Sequence, residues 1–358
     1  MSDAARARDT VSFDASCPIP ASRYDAIVLG HGSGGRLSRE LLETVFLPAL
    51  GQGPELAQED QAVVPLPTSG RLAITTDSFV VSPLVFPGGD IGSLSIHGTV
   101  NDLAVGGARP LYITASFILE EGLSTALLRR LVESMRRACD AVPVRLVAGD
   151  TKVVDRGKAD GVFITTTGVG VVPDGVHLSA TLARPGDRVV VSGPLGDHGI
   201  AILASRQGIE LETALESDSA ALHGLARAVL DASTEVRCMR DPTRGGLSSA
   251  LNEIAAASRV GISLRESDIP LRPEVRGACE LLGLDPLYVA CEGRLVAIVG
   301  ADDAGRVLAA MQGHPLGRDA AVIGRVTAER PGIVSLKSVS GGERVVALLS
   351  GEQLPRIC

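Results

Sequence analysis

The feature that most constrains this chain is an alternation that runs twice. "RLAITTD" (71–77), "LYITASFIL" (111–119), "VRLVAGD" (144–150) and "GVFITTTGVGVV" (161–172) are short runs rich in Val, Ile and Thr and predict strands. Between them, 91–105 and 124–140 have helical spacing, the first with Asp90 placed as its cap. A turn, "ARPGD" (183–187), interrupts the pattern, and it then restarts. "GDRVVVSG", "GISLRES", "GRLVAIVG" and "AAVIGRVTA" predict strands; "DHGIAILASRQ", "ALHGLARAVLDA", "GGLSSALNEIAAAS", "PEVRGACELLG" and "DDAGRVLAAMQ" predict helices. Such alternation requires helices layered on sheets, an α/β (α+β layered) architecture. The chain's 358 residues, 45% hydrophobic, are enough for two cores. Aromatics are only 3%, so those cores must be built from Val, Leu, Ile and Ala. The expected organisation is a leader (1–24), an N-terminal domain (25–184), a C-terminal domain (185–340) and a tail (341–358). The N-terminal domain is expected to open with a strand in "YDAIVLG", a glycine loop and an amphipathic helix; the tail holds one weak strand, "ERVVALL".

Charge and cysteine usage exclude several classes. The net charge is −8 and no Lys/Arg block occurs, so no nucleic acid is expected as a partner. An anionic ligand must then be held locally, by backbone NH groups, a few cations or a bridging metal. No apolar run reaches the roughly 20 residues that span a bilayer, and no signal peptide is visible. A cytoplasmic protein without a membrane partner is the expectation. The six cysteines include no CxxC pair, which argues against zinc. Cys139 and Cys279 lie in helical apolar surroundings and read as core residues. Cys358 is the last residue of the chain, and no such reading accounts for it.

"GHGSGG" (30–35) matches the dinucleotide fingerprint GxGxxG, yet the acidic strand end expected about 20 residues later is missing. It is either a helix-entry turn or a glycine lid over phosphate. The carboxylates are more informative. Asp77 and Asp150 end strands, and Asp102 sits beside Asn101 in a predicted helix. Singly, each can be a turn cap or a paired charge. Brought together on adjacent strands they form a hard-oxygen corner suited to Mg²⁺, with Lys152 as a point charge on phosphate. Beyond the boundary, "GDHG" offers Asp197 and His198, "RDPTRGG" offers Arg240, Asp241 and Arg244 at a helix start, and "CEGR" offers Glu292.

Taken together, "HGSGG", "TTDSFVVSPLVFPGGDIGSLSIHGTVNDLAVGGARPLY", "FILEEGL", "AGDTKVVDRG", "SGPLGDHG", "RDPTRGGL" and the terminal "PRIC" resemble the HypE family of hydrogenase maturation factors. That family belongs to the ATP-using superfamily of aminoimidazole ribonucleotide and selenophosphate synthetases. The resemblance spans about residues 27–358. It implies a two-domain PurM-like fold, and a homodimer whose N-terminal sheets pair into a β-barrel with Mg-ATP at the interface. It also implies a flexible tail ending in a reactive cysteine. By this resemblance Asp77, Asp102 and Asp150 are metal and ATP residues. Lys152, Asn101, Asp241, Arg244 and the segment His31, Gly32, Gly34 and Gly35 belong to the ATP site. Cys358, Lys152, Glu292 and His198 are the catalytic set, and the base is either Glu292 or His198. The implied activity is ATP-dependent dehydration of an S-carboxamide on Cys358 to a thiocyanate, the source of cyanide for [NiFe]-hydrogenase. The implied partners are the carbamoyltransferase HypF as donor and the HypC–HypD scaffold as acceptor. Alternatives are a selenophosphate or purine-pathway synthetase, or a nucleotide-binding scaffold without catalysis. The sequence departs from the family in its leader and at Cys291 and Arg294, where the resemblance leads one to expect Asn and Lys.

Overall fold

The computed structural model describes residues 24–51, 61–208, 215–349, 354 and 356–358; all of the leader but its last residue lies outside the described residues. The N-terminal half carries α1 (Arg36–Leu41), α2 (Leu47–Leu50), β1 (Arg71–Phe79), β2 (Val85–Phe86), β3 (Gly89–Asp90), α3 (Ile91–Val105), β4 (Arg109–Glu120), α4 (Thr125–Asp140), β5 (Arg145–Val154) and β6 (Val162–Val172). Four of these strands form a sheet in the order β1-β6-β4-β5, in which only β4 and β5 run parallel. α3 starts where the sequence predicts. Asp90 accepts from the Ser93 amide at 2.9 Å, satisfying one of the donors that a helix start leaves open.

α3 is buried on nearly every side, because it is sandwiched between the sheet and α4. The opposite face of the sheet is open: Leu72, Ile74 and Ile118 are 54%, 64% and 39% exposed. The strand expected in "YDAIVLG" does not form. Ile27 exchanges backbone hydrogen bonds with Gly122 and Leu123, a single bridge to a turn, and Leu29–Gly32 coils into a 3₁₀ turn. A strand persists only where a ladder continues, and none is available there.

The C-terminal half adds β7 (Arg188–Val191), α5 (Asp197–Gln207), α6 (His223–Ala232), β8 (Val236–Arg240), α7 (Gly246–Ser258), β9 (Gly261–Arg265), α8 (Pro273–Leu282), β10 (Val296–Val299), α9 (Ala304–Gln312), β11 (Ala321–Thr327), β12 (Val334–Lys337) and β13 (Glu343–Val345). They form a seven-stranded sheet, β13-β12-β9-β11-β7-β10-β8. Both of its faces are covered. Along β7, Val189 and Val191 enter one core with α7, while Val190 enters the other with α6 and α9. Two-sided burial is why Val189–Val191 of β7 and all of "VAIV" in β10 are continuously apolar rather than alternating. The segment read as tail supplies β13 and the fully buried Val346 before it leaves this sheet.

Candidate active site

Two of the expected aspartates meet; the third does not join them. In the β1-β6-β4-β5 sheet, Asp77 is in register with Thr166, Thr166 with Ala115, and Ala115 with Gly149. Asp77 therefore shares the α3-facing side with the buried Thr166 and Ala115. Asp150 is one residue on from Gly149, and a one-residue step in a strand reverses the face. It lies on the opposite face and at the opposite edge, three strand spacings or on the order of 14 Å away. There it pairs with Lys152 at 2.7 Å, and both are more than half exposed. Lys152 holds the Asp150 carboxyl below its ordinary range. The expectation of one corner holding all three fails within this chain because two strands intervene.

Asp102, from α3, accepts a hydrogen bond from Thr75 Oγ1 at 2.7 Å. Burial raises its affinity for protons, Thr75 opposes that, and Asp77 adds to it. Burial raises Asp77 as well, opposed by its bond from the Ser78 amide and by Arg244. The C-terminal domain supplies the rest. Asp241 is pushed up to about 7 by burial and then by Asp102 and Asp77. Glu292, only 2% exposed, is raised well above its ordinary value by burial, then by Asp241, Asp218, Asp77 and Asp102. Its Oε1 is buried without a hydrogen-bond partner. Crowded carboxylates of this kind are what a cation-dependent phosphate site requires.

The chain's last residue faces this cluster. The Cys358 thiol is raised well above its ordinary value by burial, then by Glu292; Arg244 opposes, and Asp77 adds. Glu292 acts on it both through charge and through hydrogen bonding, each raising the thiol's affinity for its proton. In the structure the tip is seated: Ile357 is 4% exposed, Val80 N donates to Cys358 O at 3.2 Å, and Ser82 N donates to Arg356 O at 3.2 Å. Gly199 makes room for the approach, since a Cβ there would collide with Val289 and meet Leu354 at 3.3 Å.

His198 is fully buried and holds the tail rather than the thiol. Its Nε2 is 2.7 Å from Ile357 O and its Nδ1 is 2.7 Å from Ser217 Oγ. A carbonyl oxygen only accepts, so Nε2 carries the proton and Nδ1 accepts from Ser217. Burial lowers its pKa to about 4, which keeps the ring neutral. Asn101 was expected at the nucleotide. Its amide is turned inward instead, donating to Ala220 O and Glu292 O and accepting from Leu222 N, so it braces the Glu292 loop against α3.

The glycine segment lies along β5. Gly32 touches Val153 so closely that a Cβ would come within 2.7 Å of its backbone nitrogen, and Gly34 has φ +75. His31 is 5% exposed, packs edge-on to Tyr24 and accepts from Val28 N. Cys291 is fully buried and accepts from Gly196 N, while Arg294 lies between Asp197 and Asp218. That departure from the family therefore lies behind the site. Sequence reasoning missed Asp218, whose Oδ1 accepts from Glu292 N, because "ESDSAAL" shows neither a strand end nor a helix cap. Among the described residues no group of three or more His, Cys, Asp or Glu is placed to hold a metal ion, and no helix is long and apolar enough to cross a membrane.

The acid cluster has a consequence for stability. A carboxyl whose folded pKa is raised binds more protons folded than unfolded, so stability falls as pH climbs between the two values. For Asp241 that window runs from the ordinary 3.8 to about 7, and Glu292 acts in the same direction. Melting curves without nucleotide or metal are expected to show a lower midpoint at about pH 8 than at about pH 5, with a smaller drop in Asp241→Asn.

Two domain families match the chain: "AIR synthase related protein, N-terminal domain" over residues 58–172, and the corresponding C-terminal domain over 184–337. Carbamoyl dehydratase HypE of Azotobacter vinelandii is 56% identical over 94% of this chain and 98% of its own. A crystal structure of the hydrogenase maturation protein HypE in complex with ATP aligns with TM-score 0.87 and 45% identity, over 92% of this chain and 99% of that one. A HypE–HypF complex aligns with TM-score 0.75 and 43% identity, over 78% of this chain and 90% of that one.

Proposed function

The chain belongs to the HypE family of carbamoyl dehydratases, and from that premise we propose that it converts an S-carboxamide on its own Cys358 to a thiocyanate, consuming ATP. The observation that carries this is the position of the Cys358 sulfur against Glu292 within the acid cluster. In the reaction, the carboxamide oxygen attacks the γ-phosphoryl and ADP leaves. Loss of one N–H proton gives an O-phosphorylated imidate. Loss of the second expels phosphate with that oxygen and leaves S–C≡N. Glu292 is the base: its raised pKa makes it a stronger acceptor than an ordinary carboxylate, and its Oε1 is free of other bonds. His198 suits that role less well, because its Nε2 proton is committed to Ile357 O and its Nδ1 is met by Ser217.

The docked position suits a neutral sulfur substituent and disfavours a thiolate. A thiolate is the nucleophile that must accept the carbamoyl group. The thiol therefore meets its donor undocked and returns loaded. A HypF-type carbamoyltransferase fits as donor, supported by the solved complex of relatives. A HypC–HypD-type scaffold fits as cyanide acceptor, in the cytoplasm.

Asp77 and Asp102 fit Mg²⁺, which would neutralise phosphate charge; the ion commonly takes one or two carboxylates and completes its shell with phosphates and water. Asp150, Lys152 and the glycine segment lie at the other sheet edge. A homodimer that pairs the exposed Leu72, Ile74 and Ile118 faces would bring one subunit's β5 edge to its partner's β1 edge and reunite the two sets. If so, Asp77→Asn and Lys152→Ala chains, each inactive, will regain about a quarter to half of wild-type turnover when mixed as heterodimers, which have one intact site. No recovery would rule out the shared site. The relatives and the seated thiol favour this reading over a selenophosphate or purine-pathway synthetase or an inert scaffold. The decisive test is intact-mass analysis with a carbamoyl-donor system and ATP. It should show a carbamoyl adduct, then loss of one water with release of phosphate.

A further inference from the structure

The tail is held at its tip and also at the mouth of the site. Arg206, in the last turn of α5, donates from Nε to Ser82 O at 2.8 Å and from Nη2 to Arg356 O at 2.5 Å. Arg356 in turn pairs through Nη1 with Asp160 Oδ2 at 2.8 Å. The two guanidinium groups act unfavourably on each other, and Asp160 offsets this for Arg206. Arg356 has φ +51, a left-handed conformation that is strained for a side chain of its size. Such a turn persists only where surrounding bonds over-determine it, and the bonds here come from Arg206 and from Ser82 N. Ser82 and Arg356 are thus joined backbone to backbone, and one arginine clasps both carbonyls.

We propose that Arg206 and Asp160 are a positioning pair for the dehydration step: they hold the tail's backbone at Arg356 so that the loaded sulfur stays at the acid cluster, and their release frees it for the donor. Neither residue touches the thiol; both act through the tail's backbone and the Arg356 side chain. This rests on the reading of Cys358 as the carrier. α5 divides the work. His198, in its first turn, sets the depth of Ile357 from a fully buried position, and Arg206 sets the residence of the tail from a partly exposed one. A clasp built of half-exposed charges loosens with salt, whereas a buried histidine bond does not.

The test is alkylation of Cys358 by iodoacetamide on the full-length protein, read by mass on the C-terminal peptide released by a Glu-specific protease, in wild type, Arg206→Met and Asp160→Asn. Arg206→Met is expected to speed alkylation about tenfold, as the charge-assisted hydrogen bonds to Ser82 O and Arg356 O are lost. Asp160→Asn is expected to speed it about threefold, the scale of an exposed ion pair. Salt should accelerate wild type and leave Asp160→Asn nearly unchanged. Dehydration of carbamoyl-loaded protein should slow in the same order while loading by the donor does not. Unchanged alkylation and unchanged salt response in both variants would overturn the clasp. Alkylation needs no catalysis, so a wild-type protein that alkylates as expected but never loses water would instead overturn the dehydratase reading and leave the clasp standing.

Discussion

A Cys358→Ala protein will take up no carbamoyl group and release no phosphate in its presence, while folding and binding nucleotide as the wild type does. The effect is total because no other described thiol can substitute. Cys139 and Cys238 are pushed up to about 12 and Cys279 to about 11, in each case mainly by burial. Cys291 is fully buried and is raised well above its ordinary value, mainly by burial. A thiol in that state offers almost no thiolate at neutral pH. Cys358 differs because it is the one described cysteine that is not fully buried, and what seats it is a set of backbone hydrogen bonds that can open. The measurement is intact mass over time; an adduct of the same size on the alanine variant would end the proposal. Removing one sulfur at the terminus also leaves the hydrogen bonds at Val80, Ser82 and Ile357 possible, so a fold defect is not expected.

Glu292→Gln should separate loading from dehydration. The variant is expected to accept carbamoyl at the wild-type rate and then to dehydrate it about 10²–10⁴-fold more slowly, the range for a lost general base. Carbamoyl-loaded protein would accumulate. The substitution keeps the shape of the side chain and leaves its backbone bonds to Asn101, Ala220 and Asp218 in place. It also removes one member of a crowded set of acids, so stability near neutrality should not fall. The pH profile gives a second readout. A base works only when ionised, and the raised pKa of Glu292 puts the rising limb of activity above the ordinary carboxylate range. In the Gln variant that limb should vanish from the residual rate. Turnover near the wild-type level would place the base elsewhere.

Much of this was legible in the primary structure. The twofold alternation defines two layered domains, and the structure puts α3 at Ile91–Val105 with Asp90 as its cap, as the periodicity predicts. Asp77, Asp102, Asp241, Glu292 and Cys358 all stand out as motif residues before any fold is known, and they do assemble. Asn101 and His198 stand out equally, yet the structure assigns them to bracing the Glu292 loop and holding the tail. Arg206, Asp160 and Asp218 carry no local signal, because what they contact is far away in sequence: Arg206 reaches Ser82 and Arg356, and Asp218 reaches Glu292.

Periodicity and residue chemistry thus determine which segments become strands and helices and which side chains can do chemistry, since both are properties of neighbours along the chain. Which of those side chains meet is decided only by strand order and by the parity of the pleat. Asp77 and Asp150 look alike in sequence, each a carboxylate closing a β-branched run, and in the structure both lie inside strands that continue past them; two intervening strands and a one-residue step place them at opposite edges and on opposite faces. The seat of Cys358 is likewise tertiary. It depends on α5, Val80 and Glu292 converging from three distant segments, and no local rule encodes such a convergence.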